Sequence, residues 1–180
     1  DRLIPAITEV GAKYERKEYF LPQLIRSAEA MQAAFALLRP LLASDSRSQS
    51  RPVAVLATVE GDIHDIGKNI VSLMLGNHGF EVVDLGKDVP AAKVVEAALA
   101  HDAAFVGLSA LMTTTMVRMR ETVELLREKG SDKQVIVGGA VVTDDFARSI
   151  GAHYARDAVD AVRVAQHLSV KSRADRPGVA

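Results

Sequence analysis

From residue 53 onward, continuously apolar, β-rich runs alternate with stretches of helical periodicity. This alternation limits the fold more than any other feature of the chain. The spacing predicts strands at 53–59, 80–85, 104–109 and 134–137, each too short for a helix. It predicts helices at 68–77, 90–101, 116–129 and 144–150. A short fifth strand at 152–155 and a last helix at 157–168, capped by Asp157, complete the pattern. Strands that are apolar on both faces need cover on both, which implies a parallel sheet between helical layers. The predicted class is α/β: a flavodoxin-like (Rossmann-like), doubly wound, five-stranded parallel sheet. Ligands of such sheets bind beyond the carboxyl ends of the strands. The loops 60–67, 86–89, 110–115 and 138–143 are therefore where a site is expected.

The amino-terminal part reads differently. Pro22 suits the first turn of a helix, and Leu24, Ala28, Met31, Phe35, Leu38 and Leu42 follow at helical spacing. Ile4, Ile7, Val10 and Tyr14 mark a shorter helix over 3–16. Two helices cannot bury their apolar faces alone, so 1–43 is expected to be a partial all-α cap, the remainder of a bundle. Residues 44–52 have no apolar side chain except Pro52 and read as a linker, and 169–180 as a disordered tail. Lys plus Arg number 22 and Asp plus Glu 23, which lacks the basic excess of a nucleic-acid binder. The absence of Cys removes thiolate metal sites and cysteine nucleophiles. The longest uncharged run, 103–117, is shorter than the roughly 20 residues of a membrane span. Neither nucleic acid nor membrane is an expected partner, and the expected location is the cytoplasm.

Chemistry concentrates in the loop after the first strand, Gly61-Asp62-Ile63-His64-Asp65-Ile66-Gly67. Side chains two apart in an extended segment point the same way, so Asp62 and His64 can act together. A carboxylate bonded to one imidazole nitrogen fixes the tautomer and makes the other nitrogen a better metal ligand. Gly67, lacking a side chain, lets a bulky ligand approach the helix start. The plainer alternative is an Asp-rich capping loop with a surface histidine. Ser109, Thr113, Thr114 and Thr115 place hydroxyls on the same rim. Gly138-Gly139 ends the fourth strand without the Lys or Ser of a phosphate loop, leaving room for a bulky group or simply forming a tight turn.

The pattern D-x-H-x-x-G (Asp62, His64, Gly67), S-x-L (Ser109, Leu111) and G-G (Gly138, Gly139) resembles the cobalamin-binding domains of corrinoid methyltransferases and mutases. The resemblance spans 53–168. Phe20-Leu21-Pro22-Gln23 with Ser27 and Met31 resembles the helical cap of the methyl-transferring branch, which mutases lack. The string 61–71, Asp84-Leu85-Gly86 and the 109–115 loop look closest to cobalamin-dependent methionine synthase.

The resemblance implies a cobalamin cofactor, as methylcobalamin, whose cobalt takes His64 as lower axial ligand. It implies that Asp62 holds His64 and that Thr115 completes the relay. Gly61, Ile63, Asp65, Ile66 and Gly67 would contact the cofactor from the loop. Ser109, Thr113, Gly138 and Gly139 would line the slot for its nucleotide tail, and Leu111 would also contact the cofactor. Tyr154, Asp157 and Ala158 match the last cofactor-contacting stretch. Phe20, with Leu24 or Met31, would shield the upper face. The chain would carry a methyl group from a donor, best matched by methyltetrahydrofolate, to homocysteine. The donor and acceptor domains or proteins of a larger methyltransferase would be its partners. The alternatives are a corrinoid protein of a methylamine- or methanol-type system, and a cobalamin-dependent sensor or regulator. Gly61-Asp62 and Gly76-Asn77-His78 also resemble metallophosphoesterase blocks, but in that class each block ends a different strand, whereas 76–78 falls at the end of a helix.

Overall fold

A computed structural model describes residues 3–42 and 51–174. Helices α1 (Leu3–Glu15) and α2 (Leu21–Leu42) precede the sheet. The α/β part then runs β1 (Val53–Thr58), α3 (Ile66–Asn77), β2 (Glu81–Asp84), α4 (Ala91–Ala100), β3 (Phe105–Ser109) and α5 (Met116–Glu128). It closes with β4 (Gln134–Gly138), α6 (Asp144–Ile150), β5 (His153–Tyr154) and α7 (Ala158–Ala174).

All strands are parallel in the order β2-β1-β3-β4-β5. This is the flavodoxin-like order, with the chain reversing direction across the sheet between β1 and β3. The predicted fold class holds because central strands such as β1 are buried along nearly their whole length, as a sheet covered on two sides requires. On one side Val94, Val95, Met119, Val123 and Leu126 pack against Val55, Val106 and Val137. On the other, Met74, Leu75, Val162 and Ala165 pack against Ala54, Leu56 and Ile136. Phe80 lies just before β2 and meets Phe105 edge-on at 5.6 Å between ring centroids. Such a pair contributes about 0.5–1.5 kcal/mol beyond its buried area.

Local chemistry sets the helix ends. Thr143 Oγ1 accepts from the Phe146 amide to cap α6, and Gly151 leaves the same helix at a φ of 72°. Asp157 Oδ1 accepts from the amides of Val159 and Asp160, the expected cap of α7. That helix runs past the expected end at Leu168 to Ala174. Its apolar face continues through Ala161, Ala165 and Leu168, and the Ser169 hydroxyl bonds back to the Ala165 carbonyl. Residues 169–174 of the expected disordered tail are therefore helical, while the rest of that tail, 175–180, residue 43 of the expected cap and 44–50 of the expected linker lie outside the described residues.

The helical pair belongs to the second core. Ile7, Leu24, Ala28 and Met31 share one apolar cluster with Met74, Leu75, Phe80 and Leu168. Asn77 Nδ2 donates to the Ala28 carbonyl at 3.0 Å, tying α3 to α2. Leu24 and Met31, expected as shields for a cofactor, are 1% and 5% exposed and hold the pair onto the domain. Periodicity shows that α2 has an apolar face but does not say which surface it meets.

Candidate functional site

The site forms where the order reverses, from the β1–α3 and β3–α5 loops. Asp62 is fully buried there. Its Oδ1 accepts from the His64 backbone amide at 3.0 Å and from His64 Nδ1 at 2.8 Å. Its Oδ2 accepts from the Leu111 amide at 2.7 Å, the Met112 amide at 3.3 Å and Thr115 Oγ1 at 2.9 Å. Burial alone pushes a carboxyl up. Here the hydrogen bonds from His64, Leu111 and Thr115 outweigh it and hold Asp62 well below the usual carboxylate range.

An ionised carboxylate only accepts, so Nδ1 of His64 carries the donated proton, which in the neutral ring leaves the lone pair on Nε2. The His64 side chain is 47% exposed, and Ile63, Ile66 and Leu111 around it are exposed apolar side chains. A basic nitrogen presented from an apolar rim suits a ligand with a metal centre and a broad apolar face.

Beside this rim opens a cavity of about 500 Å³. Gly67 and Lys68 of α3, Ser109, Gly138, Gly139, Tyr154, Asp157 and Ala158 line it, with Tyr14, Leu21 and Leu24 from the helical pair. Most of the expected slot residues are thus brought together. Thr113 is exposed in a turn outside the lining, because the β3–α5 loop turns Thr115 inward instead. Met31 also lies outside it, and Phe20 is 66% exposed. Asp65 stands at the N-cap of α3 without capping it through its side chain.

The glycines serve a purpose that sequence reasoning missed. A Cβ on Gly138 would lie 2.8 Å from the Ala155 carbonyl, and one on Gly139, at a φ of 129°, would collide with the Ala110 carbonyl. They permit close backbone approach as well as lining the cavity. An added Cβ on Gly67 meets nothing within 4 Å.

Two further features had no local signal. Lys68, 4% exposed, donates to both oxygens of Asp84 at 2.6 Å and to Asn69 Oδ1 at 2.7 Å, fixing the start of α3 against β2. Asp88, after β2, accepts from the Gly61 amide at 2.7 Å. Among the described residues, no cluster of three His, Asp or Glu side chains is placed to hold a metal, and no helix is long and apolar enough to cross a membrane.

Comparison with known proteins agrees with this geometry. The B12 binding domain family matches residues 52–164, and a second B12 binding domain family matches 1–39. The chain is similar to dimethylamine corrinoid protein 3 of Methanosarcina mazei, 47% identical over 165 residues, 90% of this chain and 99% of that one. It is similar to the crystal structure of a cobalamin-binding protein from Desulfitobacterium hafniense, at TM-score 0.79 and 40% identity, over 90% of this chain and 77% of that one. It is also similar to a chain of the methanol:cobalamin methyltransferase complex MtaBC from Methanosarcina barkeri, at TM-score 0.81 and 33% identity, over 93% of this chain and 65% of that one. The chain belongs to the B12-binding family of corrinoid proteins that work in methyltransferase systems, and its cofactor is cobalamin.

Proposed function

We propose that the chain is the corrinoid component of a methylamine-type methyltransferase system, holding cobalamin with Nε2 of His64 on cobalt. The sequence motifs alone point toward methionine synthase. The dimethylamine and methanol systems named by its relatives favour the methylamine-type alternative instead. The motifs are common to all these branches and so do not separate them.

When bound, cobalamin supplies a cobalt centre that can accept and give up a methyl group. The chain's own residues orient and shield. Asp62 fixes the His64 tautomer and ring angle, and Thr115 with the Leu111 and Met112 amides fixes Asp62. The exposed Ile63, Ile66 and Leu111 offer an apolar seat, and the cavity beside Gly67 offers space for the nucleotide arm. Methyl donor and acceptor are activated by partner proteins.

The observation that carries the reading of His64 as ligand is the Asp62–His64 bond of 2.8 Å, buried at the carboxylate and open at the imidazole, and the methylamine-type assignment is supported by the similarity to dimethylamine corrinoid protein 3. The test is methylation of the reduced, cobalamin-loaded protein by dimethylamine with a dimethylamine methyltransferase, against methyltetrahydrofolate with a folate-binding methyltransferase domain. Methylation from dimethylamine is the expected result; methylation from the folate alone would return the assignment to methionine synthase.

A further inference from the structure

We infer that Asp88 is a positioning residue for the cobalt-facing histidine, acting as a brace beneath the loop that presents it. The inference rests on the reading of His64 as ligand and adds a residue from a different strand loop. Asp88 sits between β2 and α4, far in sequence from the loop it supports.

The contact is reciprocal. Asp88 Oδ1 accepts from the Gly61 amide at 2.7 Å, and the Asp88 amide donates to the Asp62 carbonyl at 3.0 Å. Asp88 therefore grips both Gly61 and Asp62, the residue that bonds His64. The grip is aligned by its neighbours. Val59 pairs with Val89 in a parallel bridge, and the Val89 amide donates to the Thr58 carbonyl at 3.1 Å.

Both partners occupy backbone conformations that need support. Gly61 has a φ of 80° and Asp88 a φ of 56°. Asp enters the left-handed region more readily than most residues but less readily than Gly. At Asp88 that conformation aims amide and carboxylate at the same loop, which a glycine would adopt without supplying the carboxylate.

Asp62 fixes the imbalance between the two nitrogens of His64, whereas Asp88 fixes where Asp62 and His64 sit. A loop freed at Gly61 would still hold the Asp62–His64 bond but would present Nε2 over a wider range of positions. Ligation would weaken while the corrinoid stayed in its cavity, whose lining does not include Asp88.

The test compares wild type, Asp88→Gly and Asp88→Asn in the full chain. Asp88→Gly removes the acceptor and relaxes the backbone, so a loss there cannot come from a strained φ. Asp88→Asn keeps an oxygen acceptor and tolerates the conformation. The first readout is amide exchange at Gly61 without cofactor. The second is the fraction of bound cob(II)alamin whose EPR spectrum shows coupling to a histidine nitrogen. Asp88→Gly is expected to exchange Gly61 at least ~fivefold faster, the scale of one hydrogen bond. It is also expected to lose most histidine coupling at unchanged corrinoid content, while Asp88→Asn keeps both. Wild-type behaviour in Asp88→Gly, or equal loss in both variants, would overturn the inference. Absence of histidine coupling in wild type would instead overturn the ligand reading, and Gly61 exchange would still decide the brace.

Discussion

His64 is joined to Asp62 twice through one oxygen: its ring Nδ1 lies 2.8 Å and its backbone amide 3.0 Å from Asp62 Oδ1. The second bond makes a tight local turn, so the ring cannot swing away without the backbone following. The other oxygen of Asp62 is saturated by the β3–α5 loop. The carboxylate is thus a rivet between the two loops flanking the reversal point.

Asp62→Asn places an amide NH₂ against donors in either orientation, because both oxygens of Asp62 only accept. The expected cost at pH 7 is about 2–3 kcal/mol, read from urea denaturation. Asp62 is depressed in the folded state, so its contribution is fully present above its unfolded value. It is lost as pH falls below about 4, and the gap between wild type and variant narrows there. A gap unchanged down to pH 2 would contradict the ionised, hydrogen-bonded carboxylate.

Lys68 and Asp84 are unequally buried, at 3% and 31% side-chain exposure. Asp84→Ala strands a buried ammonium with only Asn69 Oδ1 and is expected to cost about 3 kcal/mol. Lys68→Met leaves a partly solvated carboxylate still bonded to the Gly86 amide, at about 1–2 kcal/mol. Denaturation midpoints in the reverse order would contradict the burial argument.

Gly67 and Gly139 separate ligand space from backbone space. Gly67→Ala meets open space in a helix and is expected to change apo stability by less than about 1 kcal/mol while weakening corrinoid binding. Gly139→Ala drives a Cβ into the Ala110 carbonyl at a φ of 129° and is expected to cost about 2–4 kcal/mol without any ligand. Thermal unfolding and equilibrium titration with aquocobalamin distinguish the two.

The sheet and the Asp62–His64 pair were legible in the sequence because local spacing encodes them, whereas Thr115, 53 residues from Asp62, was placed in the relay only by the resemblance to cobalamin-binding domains. Apolar runs mark buried strands, and D-x-H puts donor and acceptor within one turn. Asp88 was not legible, since its role depends on the pairing of Val59 with Val89 and on its own positive φ. Lys68–Asp84 depends on α3 crossing beside β2, and a charged residue next to a glycine reads as solvent-facing. Leu24 and Met31 showed their apolar periodicity but not the surface they cover: both join the core cluster, and Leu24 also borders the cavity. Gly138 and Gly139 were visible as a motif, while the carbonyls they admit, Ala155 and Ala110, come from other segments.

The most direct measurement of the central proposal is EPR of bound cob(II)alamin in protein labelled with ¹⁵N-histidine, with unlabelled cofactor, alongside His64→Ala. If His64 holds the cobalt, labelling changes the nitrogen hyperfine pattern from three lines to two, and His64→Ala removes the coupling while corrinoid remains bound. A three-line pattern that survives both labelling and His64→Ala would show the cofactor's own base on the metal and contradict the account.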